Sequence, residues 1–263
     1  MIETGKHAIV TGAYGEIGKA ITLGLLKREF RVTMVGRDSV NLRSTAKELA
    51  RLTSEDAILF EVVDLSSHKE IVAFSHRWKG PLHLLVNNAA TAPKKRTETP
   101  DGIEVQWATN VLGYFRMTNC FHPFMAGHPD ARIVNVASYW AGGLDLNDLE
   151  FNSRPYNNDT AYRQAKQANR MLSAAFAQRL KAKGIMVNAC HPGDVNSKLS
   201  NAFGFGGHES PEEGAATPLF LSVSDDVAGV TGQYYEHMKQ VTCPFSKDHR
   251  AVDQLFEICD QKI

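Results

Sequence analysis

The chain has 263 residues, 43% of them hydrophobic, and 29 basic side chains balance 29 acidic ones. That length and composition suit one large α/β domain or two small ones, and the zero net charge leaves no basic excess for nucleic acid or an anionic membrane. The scattered cysteines (Cys120, Cys190, Cys243, Cys259) form no C-x-x-C and the histidines no H-x-x-x-H or H-E-x-x-H, which predicts reduced thiols and no metal site.

The first β-rich run covers residues 7–11, leaving no room for a signal peptide, and no apolar run approaches the roughly 18 residues of a membrane span. A glycine-rich turn follows, with Gly12, Gly15 and Gly18 around Glu16 and Ile17, and then a helical pattern over residues 17–28. Glycines there permit a tight turn and close approach to a pyrophosphate, whose charge the helix amides bind. A second strand, residues 32–36, runs into Arg37 and Asp38. Arg37 is the first side chain available after it, a planar fork matched to a 2′-phosphate, and Asp38 lies one residue late for ribose hydroxyls. NADP(H) is therefore expected over NAD(H).

Helical patterns over residues 42–52 and 68–78 alternate with strands over 58–64 and 82–87, the last ending at Asn87-Asn88-Ala89-Ala90. A helical stretch over 102–125 contains Asn110, a strand over 132–138 ends at Ser138, and a helix over 160–183 carries Tyr162 and Lys166. A strand over 186–191 runs into Pro192-Gly193. Continuous apolar strands alternating with helices predict a doubly wound parallel sheet, Rossmann-like, with helices on both faces and ligands at the carboxyl ends of the strands. No repeat or linker divides the chain, so a single domain is expected over residues 1–263. The tail Gln261-Lys262-Ile263 departs from a peroxisomal address at its first and last residues, and the expected location is cytoplasmic.

Tyr162 and Lys166 are four residues apart, about one helical turn, so their side chains share a face. A neighbouring ammonium lowers a tyrosine pKa from its usual value of about 10 toward the working pH. A tyrosine so tuned exchanges a proton with a carbonyl or alcohol oxygen. Tyr156 is a rival, but residue 160 is a threonine, so it lacks the lysine partner.

The order and spacing of these motifs resemble the short-chain dehydrogenase/reductase family across almost the whole chain. Gly36-Arg37-Asp38, the long stretch between Ser138 and Tyr162, Cys190-His191-Pro192-Gly193 and Glu212-Glu213-Gly214-Ala215-Ala216-Thr217 are most similar to retinol dehydrogenase-like members. The resemblance implies an oxidoreductase that moves a hydride between NADP(H) and a lipophilic carbonyl or alcohol. It implies Tyr162 as general acid, Ser138 on the substrate oxygen, Lys166 tuning Tyr162 and bonding the nicotinamide ribose, and Asn110 holding a water that links Lys166 to solvent. It puts Gly12, Gly15, Glu16, Ile17 and Gly18 at the pyrophosphate and Asp64 and Leu65 at the adenine. Asn87 and Ala89 fall behind the nearer ribose, and Pro192, Gly193, Val195 and Ser197 at the carboxamide. Residues 196–215 match the substrate lid, where Phe203 and Phe205 supply an apolar cover. Tyr139 and Trp140 suit a pocket wall and a core role equally. Relatives pair through helices matching residues 102–125 and 160–183, which implies a homodimer or homotetramer.

Glu16 stands where the family has a glycine. It is expected to turn its side chain to solvent, with Gly15 absorbing the awkward backbone angles through a positive φ. The alternative is a carboxylate that crowds the phosphates, in an NADP(H)-binding regulatory protein with little turnover.

Overall fold

A computed structural model describes residues 5–262; Ile263, the last residue of the tail, lies outside them. One sheet of eight strands organises the chain, in the order β3-β2-β1-β4-β5-β6-β7-β8. Its strands are β1 (His7–Thr11), β2 (Arg31–Gly36), β3 (Ile58–Val62), β4 (Leu84–Asn87), β5 (Arg132–Val136), β6 (Met186–Cys190), β7 (Tyr234–Glu236) and β8 (Lys239–Val241). All pairs are parallel except β7 with β8. β1, β4, β5 and β6 are buried along their whole length, which is why they read as continuous apolar runs. The strand order reverses between β1 and β4. Crossover connections leave that point in opposite directions and open a crevice above the strand ends.

Two cores flank the sheet. One face carries α1 (Glu16–Leu26), α2 (Ser39–Ala50) and α7 (Pro211–Val223); the other carries α3 (His68–Arg77), α4 (Gly113–Phe121), α5 (Asn158–Leu180) and α8 (His249–Asp260). α6 (Lys198–Ala202) is one short turn outside them. Local chemistry sets several starts: Ser67 caps α3, Asn157 caps α5, and Ser210 with Glu213 forms a capping box ahead of Pro211.

The stretch over 102–125 is not one α-helix. Gly102 sits in a turn at φ +74°, a π-helical turn covers Trp107–Leu112, and α4 then leads into a 3₁₀ turn at His122–Phe124. The expected lid, 196–215, divides: α6 and a glycine turn come first, but Gly214 and Ala215 are already buried in α7.

The helices expected to pair with a second subunit, α4 and α5, are partly covered by α8. α5 is buried over most of its length, with Asp159, Arg163, Gln178 and Arg179 left exposed, and α8 lies against it and α4. Phe256 of α8 stands 4.9 Å from Phe115 and 5.2 Å from Phe176, ring centre to ring centre, and Arg179 pairs with Asp253 at 3.0 Å. Aromatic pairs at such separations add about 0.5–1.5 kcal/mol each beyond buried area.

Candidate active site

The crevice above β1 and β4 has glycines at its closest approach. Gly12 has φ +64°, and a Cβ there would stand 2.7 Å from the Ala89 Cα. A Cβ on Gly18 would meet the Gly12 carbonyl and stand 2.8 Å from Asn88 Nδ2. Both positions therefore require glycine. The Thr11 hydroxyl accepts from the Asn88 and Ala89 amides at 2.8 and 3.1 Å, which ties the two loops together. The amino end of α1 opens here, and its free amides suit a pyrophosphate.

Gly15 does not take the left-handed conformation expected of it. Its φ is −74° and ψ 164°, ordinary extended backbone for the residue capping α1. Gly12 carries the positive φ instead. Nor is the Glu16 carboxylate directed simply to solvent: its Oε1 accepts from the Lys198 amide at 3.4 Å, at the start of α6.

Arg37 follows β2, is exposed and lines the crevice. It has no hydrogen bond or ion pair among the described residues. Asp38 beside it is fully engaged as the cap of α2. Its Oδ1 accepts from the Val40 and Asn41 amides, each at 3.0 Å, and its Oδ2 from Asn41 Nδ2 at 2.6 Å. These bonds, the Asn41 amide foremost, hold its carboxyl below the usual range.

Asp64 and Leu65 line the same crevice, Asp64 accepting from the Ser66 amide and hydroxyl at 2.9 and 2.8 Å. Ala89 lines it as well, but Asn87 does not. Asn87 is buried and donates to Asn135 Oδ1 at 2.9 Å, so it joins β4 to β5 beneath the crevice. Its neighbour Asn88 lines the crevice instead, with Tyr14, Ala90, Thr91 and Thr109, none of which the sequence assigned to the cofactor. Strand alternation was the available signal: consecutive residues face opposite ways.

Ser138, Tyr162 and Lys166 meet beside this crevice. Lys166 Nζ donates to the Val136 carbonyl at 2.8 Å and lies 5.5 Å from the centres of the Tyr114 and Tyr162 rings. Ser138 Oγ accepts from the Trp140 amide at 3.1 Å, which leaves its own proton to donate. Burial dominates the electrostatics. It pushes the Lys166 ammonium down to about 7, and it pushes the Tyr162 phenol well above its usual value, with the Ser138 hydroxyl pulling the other way. The expected lowering of the tyrosine by its lysine is thus reversed, because desolvation penalises both charged forms.

Asn110 lies in the π-helical turn, fully buried. Its Oδ1 accepts from the Thr91 amide at 2.8 Å, and its Nδ2 donates to the Thr91 carbonyl at 2.9 Å and to Gln106 Oε1 at 3.3 Å. Its amide pins the crevice wall at Thr91. The Tyr156 hydroxyl bonds the Pro93 carbonyl at 3.0 Å and accepts from Gln106 Nε2 at 2.9 Å, a structural role.

A second recess adjoins Ser138 and Tyr162, lined by Tyr139, Trp140, His191, Pro192, Gly193, Val195, Ser197, Phe203 and Phe205 among others. Trp140 meets Phe203 and Phe205 edge-on, each at 5.6 Å, and Phe203 lies 4.9 Å from the Tyr162 ring. Tyr139 is half exposed and stands edge-on to His191 at 4.5 Å. Ser197 caps α6, exchanging bonds with Ser200 at 3.1 and 2.9 Å. Asp194 lines the recess too and was not singled out by the sequence motifs, and His191, though part of a quoted motif, was given no role in the site.

A parallel sheet with a glycine cradle at its switch point, and a serine, tyrosine and lysine beside it, define a dinucleotide-dependent oxidoreductase architecture. A sequence model of the family described as short chain dehydrogenase matches residues 6–204. The chain belongs to the short-chain dehydrogenase family. It is 34% identical over 254 residues to a probable oxidoreductase of Streptomyces antibioticus, covering 89% of this chain and 85% of that one. It is 30% identical over 273 residues to retinol dehydrogenase 13 of Homo sapiens, covering 96% and 82%. Its fold matches the crystal structure of a putative uncharacterized protein from Mycobacterium Paratuberculosis with TM-score 0.83 and 25% identity, covering 97% and 92%. Among the described residues no helix is long and apolar enough to cross a membrane.

Proposed function

We propose that this chain transfers a hydride between NADP(H) and a lipophilic carbonyl or alcohol, with Tyr162 as the general acid in reduction. One observation carries the reading: the glycine-lined crevice and the aromatic recess share Ile17, Ser197 and Leu199 as walls, so a dinucleotide in one meets a substrate in the other. When bound, the nicotinamide supplies or accepts the hydride. Gly12, Gly18 and the α1 amides bind pyrophosphate, Arg37 the 2′-phosphate, and Asp64, Leu65 and Ala89 the adenosine. Pro192, Gly193, Val195 and Ser197 hold the carboxamide end. Ser138 donates a hydrogen bond to the substrate oxygen, and Tyr162 gives that oxygen its proton. A phenol kept neutral by burial is in the right state to do so. Lys166 stabilises the phenolate left behind, and Asn110 fixes Thr91 at the crevice wall. Trp140, Phe203, Phe205 and Tyr139 enclose an apolar body. The four cysteines are free thiols, in keeping with a reducing, cytoplasmic setting.

Calorimetric titration with NADPH and NADH tests the cofactor. NADPH is expected to bind about tenfold to a hundredfold more tightly, the worth of a charge-assisted phosphate bond, and Arg37→Ala to erase the difference. An unchanged ratio in the variant removes Arg37 from the assignment. A panel of aldehydes and ketones tests the substrate, and preference for small charged oxoacids defeats the apolar pocket. Tight NADPH binding with no turnover anywhere on the panel would favour the regulatory alternative, for which the bond from Glu16 to the lid is the one structural support.

A further inference from the structure

Arg170 continues the stripe of α5 that carries Tyr162 and Lys166, one further turn along the same face. It is buried, with its side chain 6% exposed. Its Nη2 donates to the Ser138 carbonyl at 2.6 Å. The guanidinium carbon lies 3.5 Å from the centre of the Tyr234 ring and 5.6 Å from that of Phe245. Its charge is balanced by Glu236, whose Oε1 stands 3.7 Å away. A buried arginine is costly unless paired and hydrogen-bonded, and here each contact leads either to Ser138 or to the C-terminal segment. Tyr234, Phe245 and Glu236 all lie beyond residues 6–204, the part that matches the family.

We propose that Arg170 is a positioning residue for Ser138: held between Tyr234, Phe245 and Glu236, it fixes the Ser138 backbone and so sets where the Ser138 hydroxyl points. The C-terminal hairpin thereby becomes part of the support of the active site. Lys166 anchors the Val136 carbonyl and Arg170 the Ser138 carbonyl, two residues apart on the extension of β5. The planar fork of arginine bonds one group while its face stacks on another, which lysine cannot copy. The inference rests on the reading of Ser138 as the residue that bonds the reacting oxygen.

Arg170→Ala, with its turnover, NADPH affinity and amide hydrogen exchange measured with and without millimolar guanidinium, tests it. The Trp140 amide is the direct reporter, because it donates to Ser138 Oγ. The expected result is a kcat lower by about tenfold to a hundredfold, with KM and NADPH affinity within about twofold. Exchange at Trp140 is expected to rise, and added guanidinium, unlike sodium chloride, to reverse both changes in part. Arg170→Lys is expected to recover less than guanidinium does. Wild-type exchange at Trp140 in the Ala variant overturns the proposal whatever the turnover. So does a kcat loss that follows the melting temperature and resists guanidinium. A wild type that reduces no carbonyl, alongside exchange that responds to Arg170, refutes the reading of Ser138 and leaves the clamp standing.

Discussion

Tyr162 and Lys166 illustrate how one site combines two opposing effects. The lysine favours phenolate through its charge, while burial of both groups disfavours every charged form. Since burial lowers the Lys166 ammonium to about 7, its charge is present below that pH and fades above it. The kcat for carbonyl reduction is therefore expected to fall as pH rises through about 7, and Lys166→Arg, whose charge persists, to remove that limb while keeping some activity. A profile identical in both enzymes would exclude Lys166 as its source. Tyr162→Phe keeps the ring and loses the proton, so NADPH affinity should stay within about twofold while turnover drops by about a hundredfold or more. Robust activity in that variant would mean another acid serves the oxygen. Glu16 raises a separate question, since its carboxylate accepts from the Lys198 amide at the start of α6 rather than facing only solvent. Glu16→Gly should shift NADPH affinity by less than about tenfold, 1.4 kcal/mol, yet speed amide exchange in α6. A larger gain in affinity that shrinks with salt would show repulsion of the phosphates.

Among the elements, α8 decides most about association. It places Val252, Leu255 and Cys259 in the core beside α4 and α5, the helices expected to form a pairing face. If the part of that face covered by α8 is what a partner would need, the protein of 29.0 kDa is expected to sediment as a monomer. Leu255 is fully buried, so Leu255→Ala should cost about 2–5 kcal/mol, and Leu255→Asp should release α8, exposing Phe115 and Phe176 and driving self-association. A stable wild-type dimer in light scattering would refute the covering role. α8 and α7 were not recognised from the sequence. α7 carries Gly214 and an internal Pro218, both poor helix formers, and presents no clean apolar stripe. β7 and β8 have three residues each, too short to show a period of two.

At the scale of the molecule, two buried histidines make the fold sensitive to acid. His7 lies at the edge of the core, its ring bonded to Thr33 at 2.9 Å, and burial with His83 nearby lowers it to about 4. His191, in the wall of the recess beside Ser138, is lowered to about 3, chiefly by burial. Both are neutral in the folded chain and free to charge near 6.5 when unfolded. The unfolded state thus binds more protons below that pH, and stability is lost as pH falls from about 6.5 toward 4 and 3. At pH 5 each contributes a loss of about 2 kcal/mol relative to pH 7, at 1.36 kcal/mol per unit. Urea midpoints at the two pH values measure the sum, and His7→Gln should shrink the difference. The same drop in that variant would assign the acid sensitivity to other groups.

The sequence by itself determined the order of strands and helices as far as β6, the glycine turn, and the serine, tyrosine and lysine. Those features are written in neighbouring residues, as apolar runs, a four-residue spacing and side-chain chemistry. It also ranked Arg37 over Asp38 by position alone; the tertiary structure adds the reason, since Asp38 is occupied as a helix cap. Only the fold decided that Gly12, not Gly15, takes the left-handed turn, that Asn88 rather than Asn87 lines the crevice, and that Glu16 reaches Lys198. It alone joined Arg170 to Glu236 and Arg116 to the Lys262 carbonyl, and it alone reversed the expected shift of Tyr162. These depend on burial and on partners far away in the chain. Desolvation and long-range contacts exist only once the whole core has closed, so no local pattern records them.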